Sequence, residues 1–315
     1  MKKLSFVIPC YRSENTIISV IQEINLVLQH KSEYEYEIIA INDSSPDNVW
    51  YVLENLAKEY SNIKAIDLAK NMGKHSAMMA GYSFAIGDII VSLDDDGQCP
   101  VDKLWDLLAP LEQGYDIAIA RYPKKKQIAF KNFGSKVNDL MACFLIDKPK
   151  DLKLSNFYAI KRFVCQEVLR YHNPYPYVSG LFLRSTSKIK NVDMEERERI
   201  AGTSGYTFIK SLKLWLNGFT AFSVKPLRIA TVVGFFTSLL GFLFAFYIVL
   251  RKIYFPDVAA GYSSLMAVQL FIGGIIMMCL GLIGEYVGRI YISLNNSPQY
   301  VIRKVVGLQD ERDEE

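Results

Sequence analysis

Asp88-Ile89-Ile90-Val91-Ser92-Leu93-Asp94-Asp95-Asp96-Gly97-Gln98 carries a short apolar, strand-like run straight into three adjacent carboxylates and a turn. Like charges this close at the end of a buried strand repel, so the cluster either binds a cation or stays partly protonated. Oxygen-only donors select hard divalent ions, Mg²⁺ or Mn²⁺, which commonly bridge a protein carboxylate to substrate phosphates. On charge alone the three aspartates are equal candidates, and a nucleotide-linked substrate is implied.

The segments on either side repeat one rhythm. Leu4–Ile8, Glu37–Ile41, Ile63–Asp67, Ile89–Leu93 and Ile117–Ala120 are short apolar runs, whereas Glu14–Gln29, Asn48–Glu59, Ser76–Ala85 and Val101–Gln113 have helical spacing. Such alternation predicts βαβ units and a mostly parallel, doubly wound α/β sheet. Ligands of these sheets bind beyond the carboxyl ends of the strands, where Pro9–Glu14, Asn42–Asp47 and Asp94–Gln98 fall.

Composition narrows the class. The chain has 315 residues, half of them hydrophobic, and a formal net charge of +3, which fits a sizeable core and excludes disorder and an extended nucleic-acid surface. Lys124-Lys125-Lys126 is a solvated turn rather than a binding patch. Cys10, Cys99, Cys143, Cys165 and Cys279 have no paired spacing, so neither a disulfide framework nor a zinc site is expected and a reducing compartment fits. The apolar run at the N-terminus ends at Pro9, too soon for the core of a signal peptide.

Ile229–Leu250 and Ser263–Gly284 contain no charged residue, and each matches the roughly 20 residues that cross a bilayer. Lys210, Lys213, Lys225 and Arg228 precede the first span and Arg289, Arg303 and Lys304 follow the second, against Arg251 and Lys252 between them. The positive-inside rule then predicts cytoplasmic termini and a cytoplasmic catalytic domain. Tyr206–Phe222 sets apolar positions beside Lys210, Lys213 and Trp215, the pattern of an interfacial helix. The expected layout is 1–205 catalytic, 206–226 interfacial, 227–294 two transmembrane helices and 295–315 a tail, its acidic end Gln309–Glu315 solvated.

Pro9-Cys10-Tyr11-Arg12-Ser13-Glu14 and Asn42-Asp43-Ser44-Ser45-Pro46-Asp47 together suit a nucleoside, with an aromatic face for the base and carboxylates for base and ribose donors. Taken singly, each is ordinary turn and helix-cap chemistry. Seven ordered blocks change that: Val7–Glu14, Asn42–Asp47, Asn71–Gly81, Leu93–Gln98, Ala120-Arg121-Tyr122, Glu198–Tyr206 and Gly284–Tyr291. With these blocks the chain strongly resembles, over nearly its whole length, glycosyltransferase family 2 with a GT-A fold. Within that family it looks like the polyprenyl-phosphate glycosyltransferases: dolichol-phosphate mannose synthases and bacterial undecaprenyl-phosphate glucosyl and aminoarabinosyl transferases.

The resemblance implies a GT-A sheet followed by interfacial helices and a two-helix membrane hairpin. It implies a metal set of Asp94, Asp96 and Gln98 holding Mg²⁺ or Mn²⁺, and donor binding by Pro9, Tyr11, Glu14, Asp43, Lys74, Asp94 and Asp95. It also implies catalytic roles at Asp96, Arg121, Lys131, Ser135 and Arg199, the last four against donor diphosphate or acceptor phosphate. The expected activity is metal-dependent, inverting transfer of a sugar from a nucleotide sugar, UDP-linked by analogy, to undecaprenyl or another polyprenyl phosphate. That activity would sit at the cytoplasmic face of the inner membrane and serve envelope glycans such as lipopolysaccharide; relatives are often homo-oligomers, and no nucleic-acid partner is implied.

Departures bear on specificity. Asp95 and Gly97 stand where relatives often have alanine and leucine, Ser155-Asn156-Phe157-Tyr158 lacks an arginine common near position 158, and Lys131 replaces an arginine, keeping charge without the bidentate fork. His75 is expected to support a helix start rather than to catalyse, and Glu285 with Arg289 to pair within one helix. The alternatives are a processive polysaccharide synthase, whose Gln-x-x-Arg-Trp string does not occur here, and a non-catalytic binder of nucleotide sugars.

Overall fold

A computed structural model of the chain describes residues 2–29, 31, 33–123, 143, 148–197, 225–254, 261–295 and 297–307. The chain divides into two compact units, one of Met1–Ser211 with Asn296–Glu315 and one of Leu212–Asn295.

In the first unit the strands are β1 (Lys2–Cys10), β2 (Tyr34–Asn42), β3 (Ile63–Leu68), β4 (Ile89–Ser92), β5 (Ile117–Arg121), β6 (Tyr158–Lys161), β7 (Ile189–Asp193) and β8 (Ile302–Val306). They form an eight-stranded sheet in the order β7-β5-β6-β4-β1-β2-β3-β8. The β1–β2, β1–β4, β2–β3 and β5–β7 pairs are parallel. β6 runs antiparallel to both neighbours, and β8 runs antiparallel to β3. The helices between them are α1 (Ile17–Leu28), α2 (Val49–Glu59), α3 (Lys74–Phe84), α4 (Leu104–Glu112), α5 (Arg162–Leu169) and α6 (Val178–Ser185).

The central strands are apolar without interruption because both faces are covered. Leu4, Phe6 and Ile8 alternate onto one face, where they share a core with Ile17, Val20, Ile21, Ile24 and Leu28 of α1 and with Leu104, Leu107, Leu108 and Leu111 of α4. Each such fully buried side chain contributes roughly 1.5–3 kcal/mol relative to exposure. On the other face α3 approaches closely. A Cβ at Gly81 would lie 2.5 Å from Val7 Cγ1 and 2.7 Å from Ile41 Cδ1, so only glycine lets the helix sit against β1 and β2. That contact brings the N-terminus of α3, and Lys74 with it, toward the carboxyl ends of these strands.

The expectation of a plain tail over 295–315 needs correction. Residues Ile302–Val306 complete the sheet edge, with Ala65 opposite Val306 and Asp67 opposite Lys304. Lys304 Nζ bonds to Glu54 Oε1 at 2.7 Å, and Gln299 Nε2 donates to the carbonyls of Tyr171 and Asn173. Gly307 follows at φ +86°, where an added Cβ would collide with the backbone oxygen of Ile63, so no side chain fits. Arg303 and Lys304 make the outer strand basic, which discourages edge-to-edge pairing with another chain.

The second unit contains α7 (Lys225–Tyr254) and α8 (Tyr262–Leu294). Both are long and apolar enough to cross a membrane, and none of Leu227–Phe244 or Phe271–Leu294 is buried, unlike the core helices of a soluble domain. Glu285 and Arg289 form the expected pair within α8, at 2.8 Å. The segment 206–224 of the expected interfacial helix and the acidic end Gln309–Glu315 lie outside the described residues.

Candidate active site

Three loops meet beyond the carboxyl ends of β1, β2 and β4. The first two are zipped together by hydrogen bonds from backbone N–H groups. Asp43 N donates to Cys10 O at 3.1 Å, Arg12 N to Ser45 Oγ at 2.8 Å and Glu14 N to Asp47 Oδ2 at 3.0 Å. Arg12 and Ser44 hold left-handed backbone, φ 59° and 47°, a strain that surrounding bonds must maintain and that clusters at functional sites. Tyr11 keeps 44% of its surface exposed, with the Arg12 guanidinium over its ring at 5.6 Å from the centroid.

Asp43 is almost fully buried and fastens β2 to the lead of α3. Its two oxygens accept from Met72 N at 2.8 Å and Gly73 N at 2.9 Å, the latter presented by φ +85° at Gly73. Burial pushes its pKa up to about 6 against the lowering effect of those two bonds. Glu14 has a part in local architecture as well: its Oε2 accepts from Asn48 N at 2.9 Å where α2 begins. Asp47 likewise accepts from Ser45 Oγ at 2.5 Å and from Val49 N, so the turn-and-cap chemistry of this segment is realised here. Pro9 is buried at the end of β1, opposite Ile41.

The acidic run does not form one three-carboxylate cup. β4 stops at Ser92, Leu93 is buried, and Gly97 turns the chain at φ 75°, sending the three side chains to different partners. Asp94 Oδ1 is paired with the Lys74 ammonium, and its Oδ2 accepts from Asn156 Nδ2 at 2.7 Å. Asp95 Oδ2 accepts from Tyr11 N at 3.0 Å, tying this loop to the first; burial pushes its pKa up to about 6, opposed by hydrogen bonds from Ser13 and Tyr11 and reinforced by its acidic neighbours. Asp96 Oδ1 accepts from Gln98 N at 3.1 Å. Among the described residues no three His, Cys, Asp or Glu side chains converge as a metal cage. Asp95 differs from its neighbours in joining two loops through Tyr11 N, whereas Asp94 and Asp96 bond to Lys74, Asn156 and the backbone of Gln98.

Two residues that sequence reasoning left unassigned support this loop. Asn156 orients Asp94. Arg197 N donates to Gln98 O at 3.2 Å, and Gln98 Nε2 donates to Arg197 O at 3.3 Å, while the Arg197 guanidinium bridges Glu23 Oε1 at 2.7 Å and Asp102 Oδ1 at 2.5 Å. In the sequence Arg197 sits within Glu195-Glu196-Arg197-Glu198, which reads as a solvated charge run. Only the tertiary contact with Gln98 sets it apart.

The remaining candidates are more scattered. Arg121 ends β5 and forms a two-pronged pair with Asp193 of β7, its Nη2 2.7 Å from Oδ2, and both residues are exposed. Tyr158 is a core residue, its hydroxyl 2.6 Å from that of Tyr82 and its ring edge-on to Phe182. His75 packs edge-on against Tyr177, and burial, then the adjacent Lys74 charge, pushes its pKa down to about 4, so it is neutral at pH 7 and suits a supporting place at the start of α3. Lys131, Ser135 and Arg199 lie outside the described residues, as do Lys124–Lys126. None of the five cysteines is in a disulfide.

Comparison with known proteins gives concordant similarities. Residues 5–172 match the family model described as glycosyl transferase family 2, and residues 225–290 match a GtrB C-terminal hairpin. The chain is 32% identical, over 98% of its own length and 95% of the relative's, to the uncharacterized glycosyltransferase YkcC of Bacillus subtilis. It shows the same identity and coverage to an undecaprenyl-phosphate 4-deoxy-4-formamido-L-arabinose transferase of Proteus mirabilis. Its fold resembles that of glucosyl-3-phosphoglycerate synthase from Mycobacterium tuberculosis, crystallised with Mn²⁺, UDP-glucose and phosphoglyceric acid, with a TM-score of 0.50, 17% identity and coverage of 70% of this chain and 79% of that one.

Proposed function

The chain belongs to glycosyl transferase family 2, and on that footing we propose that it transfers a sugar from a nucleotide donor, UDP-linked in our reading, to undecaprenyl or a similar polyprenyl phosphate. The observation that carries the proposal is the meeting of Tyr11, Asp43, Lys74 and the Asp94–Gln98 loop at one sheet end, in a chain that also has two membrane-length helices. The activity for which the Proteus relative is named, over an alignment of nearly all of both chains, supports the lipid phosphate as acceptor.

The residues fit a hard divalent ion. Asp94, Asp96 and Gln98 offer oxygens only, and the Lys74 ammonium on Asp94 marks a place where positive charge is stable. The Mycobacterium neighbour was crystallised with Mn²⁺, in keeping with Mn²⁺ or Mg²⁺ here. Such an ion, when bound, would neutralise the charge that grows on a diphosphate leaving group. The protein's own share is positioning: Tyr11 offers a face to the base, Asp43 and Glu14 border the nucleoside, and Lys74, Arg121, Lys131, Ser135 and Arg199 are assigned to phosphate. A phosphate monoester with a second pKa near ~6 is already largely dianionic at pH 7, so it attacks without a strong protein base. One displacement at the anomeric carbon inverts its configuration.

Connectivity supports the membrane arrangement. Residues before 211 and after 296 belong to one folded unit, which occupies a single side of a bilayer, so the chain between them crosses an even number of times. With α7 and α8 as the crossings, both termini face the same side, and the basic residues flanking the hairpin favour the cytoplasm.

The test uses the full chain in nanodiscs with undecaprenyl phosphate, Mn²⁺ or Mg²⁺, and a panel of UDP-, GDP-, dTDP- and CDP-sugars. Lipid-linked sugar should form with one donor, disappear on chelation, and disappear in Asp96→Ala protein whose circular dichroism is unchanged. No product from any donor would sink the proposal.

A further inference from the structure

We propose that Arg303, on the strand that follows the membrane hairpin, is a positioning residue for the donor nucleotide, acting through Asp67 and Asn42 on the Asp43–Asp47 loop. The inference rests on the reading of that loop as part of the donor pocket.

Asp67 is the penultimate residue of β3 and is 3% exposed. Among the described residues the cation bonded to it is Arg303, whose Nη1 lies 3.3 Å from Asp67 Oδ2 while Nη2 donates to Ala69 O at 3.0 Å. The other carboxylate oxygen, Oδ1, accepts from Asn42 Nδ2 at 2.7 Å; Asn42, paired in register with Asp67, is itself 4% exposed. A carboxylate only accepts, so the Asn42 amide must turn its NH₂ toward Asp67 and its carbonyl the other way. That carbonyl accepts from Ser45 N at 3.0 Å. Ser45 Oγ in turn accepts from Arg12 N at 2.8 Å and donates to Asp47 Oδ1 at 2.5 Å, and the other Asp47 oxygen accepts from Glu14 N at 3.0 Å.

Arg303 thus holds one oxygen of Asp67, the other oxygen fixes the flip of Asn42, and Asn42 sets the turn that presents Asp43 and meets the Tyr11–Glu14 loop. Stapling β8 to the sheet does not require this arginine, because the β3–β8 ladder and the Lys304–Glu54 bond do that already. Losing Arg303 leaves a buried carboxylate without its cation, a situation relieved by movement of the groups around it. That movement removes the reason for the Asn42 orientation. Partners that orient ligand-binding groups from behind are worth roughly 10- to 100-fold in affinity at metal sites, and about tenfold is expected here.

The experiment measures binding of UDP, GDP, dTDP and CDP, each with Mn²⁺, to the full chain in detergent by calorimetry, alongside unfolding midpoints. Arg303→Met should weaken the nucleotide that the unaltered protein binds by about tenfold. Arg303→Lys, which keeps the charge and loses the fork, should stay within roughly threefold. Asp67→Asn added to Arg303→Met should recover most of the loss, since no unpaired charge remains. Unaltered affinity in Arg303→Met overturns the inference, as does an equal loss in the Met and Lys variants that tracks a common fall in unfolding midpoint. If the unaltered protein binds none of the four nucleotides, the donor-pocket reading fails and this inference with it.

Discussion

Replacing Lys74 with methionine should make the protein bind Mn²⁺ more tightly while it transfers sugar less well. Lys74 is now the cation on Asp94, with side-chain exposures of 27% and 24% for the two partners. Fully exposed pairs contribute about 0.2–1 kcal/mol, whereas hydrogen bonds to charged groups contribute about 1.5–3 kcal/mol. A pair three-quarters sheltered falls between, near 1.4 kcal/mol, which is about tenfold in an equilibrium constant. A divalent ion entering at Asp94 must displace the ammonium or tolerate its charge, so Lys74→Met should lower the Mn²⁺ dissociation constant about tenfold in the absence of nucleotide. Transfer should nevertheless fall, because the displaced lysine would otherwise face the donor diphosphate. The assay is titration of the full chain with Mn²⁺, following the free aquo ion by electron paramagnetic resonance, with Asp94→Asn as the variant that loses the ligand. Mn²⁺ affinity that is equal or weaker in Lys74→Met would refute the competition and make Lys74 a support for Asp94 instead.

Two further outcomes follow from the same geometry. Asp43 has a folded pKa near 6 against 3.8 for the ordinary carboxyl; the folded state therefore holds its proton more tightly, and stability from this group, up to ~3 kcal/mol, is present below the unfolded pKa and lost as pH rises through 6. Nucleotide affinity should move the opposite way, falling as pH drops from 7 to 5, and Asp43→Asn should flatten both trends when unfolding midpoints and calorimetric affinities are compared across that range. Arg197→Met should cut turnover about tenfold and raise the Mn²⁺ concentration needed for half activity, through loss of the Gln98 contacts. Its unfolding midpoint should move little, since partly exposed ion pairs contribute at most ~1 kcal/mol each.

The parallel core was legible because each strand there is buried on both faces and so writes itself as a local apolar run. Leu4–Ile8, Glu37–Ile41, Ile63–Asp67, Ile89–Leu93 and Ile117–Ala120 each lie within, or overrun by one residue, an observed strand. The edge strand Ile302–Val306 was not legible. Its centre is Arg303-Lys304, and its partner Asp67 is 236 residues away from Arg303, so neither hydropathy nor local spacing marks it. Within the site, the identity of the acidic loop was readable and the direction of its side chains was not. Gly97 announces a turn, yet the separation of Asp94, Asp95 and Asp96 is fixed by Lys74, Tyr11 and Asn156, from three other points in the chain, and by the backbone of Gln98 in the turn itself. Asn156 and Arg197 belong to this same class of residue, ordinary in sequence and distinguished only by what they touch.

The late arrival of β8 also sets an order of assembly. A ribosome releases Ile302–Val306 only after both membrane-length helices have been made, so until then the outer edge of β3 is an unpaired row of backbone donors and acceptors and Asp67 waits without its arginine. Completion of the sheet is therefore among the last folding events. A nascent chain that stalls within the hairpin presents an open β edge, a natural handle for chaperones or proteases, whereas one that finishes the hairpin closes that edge with β8.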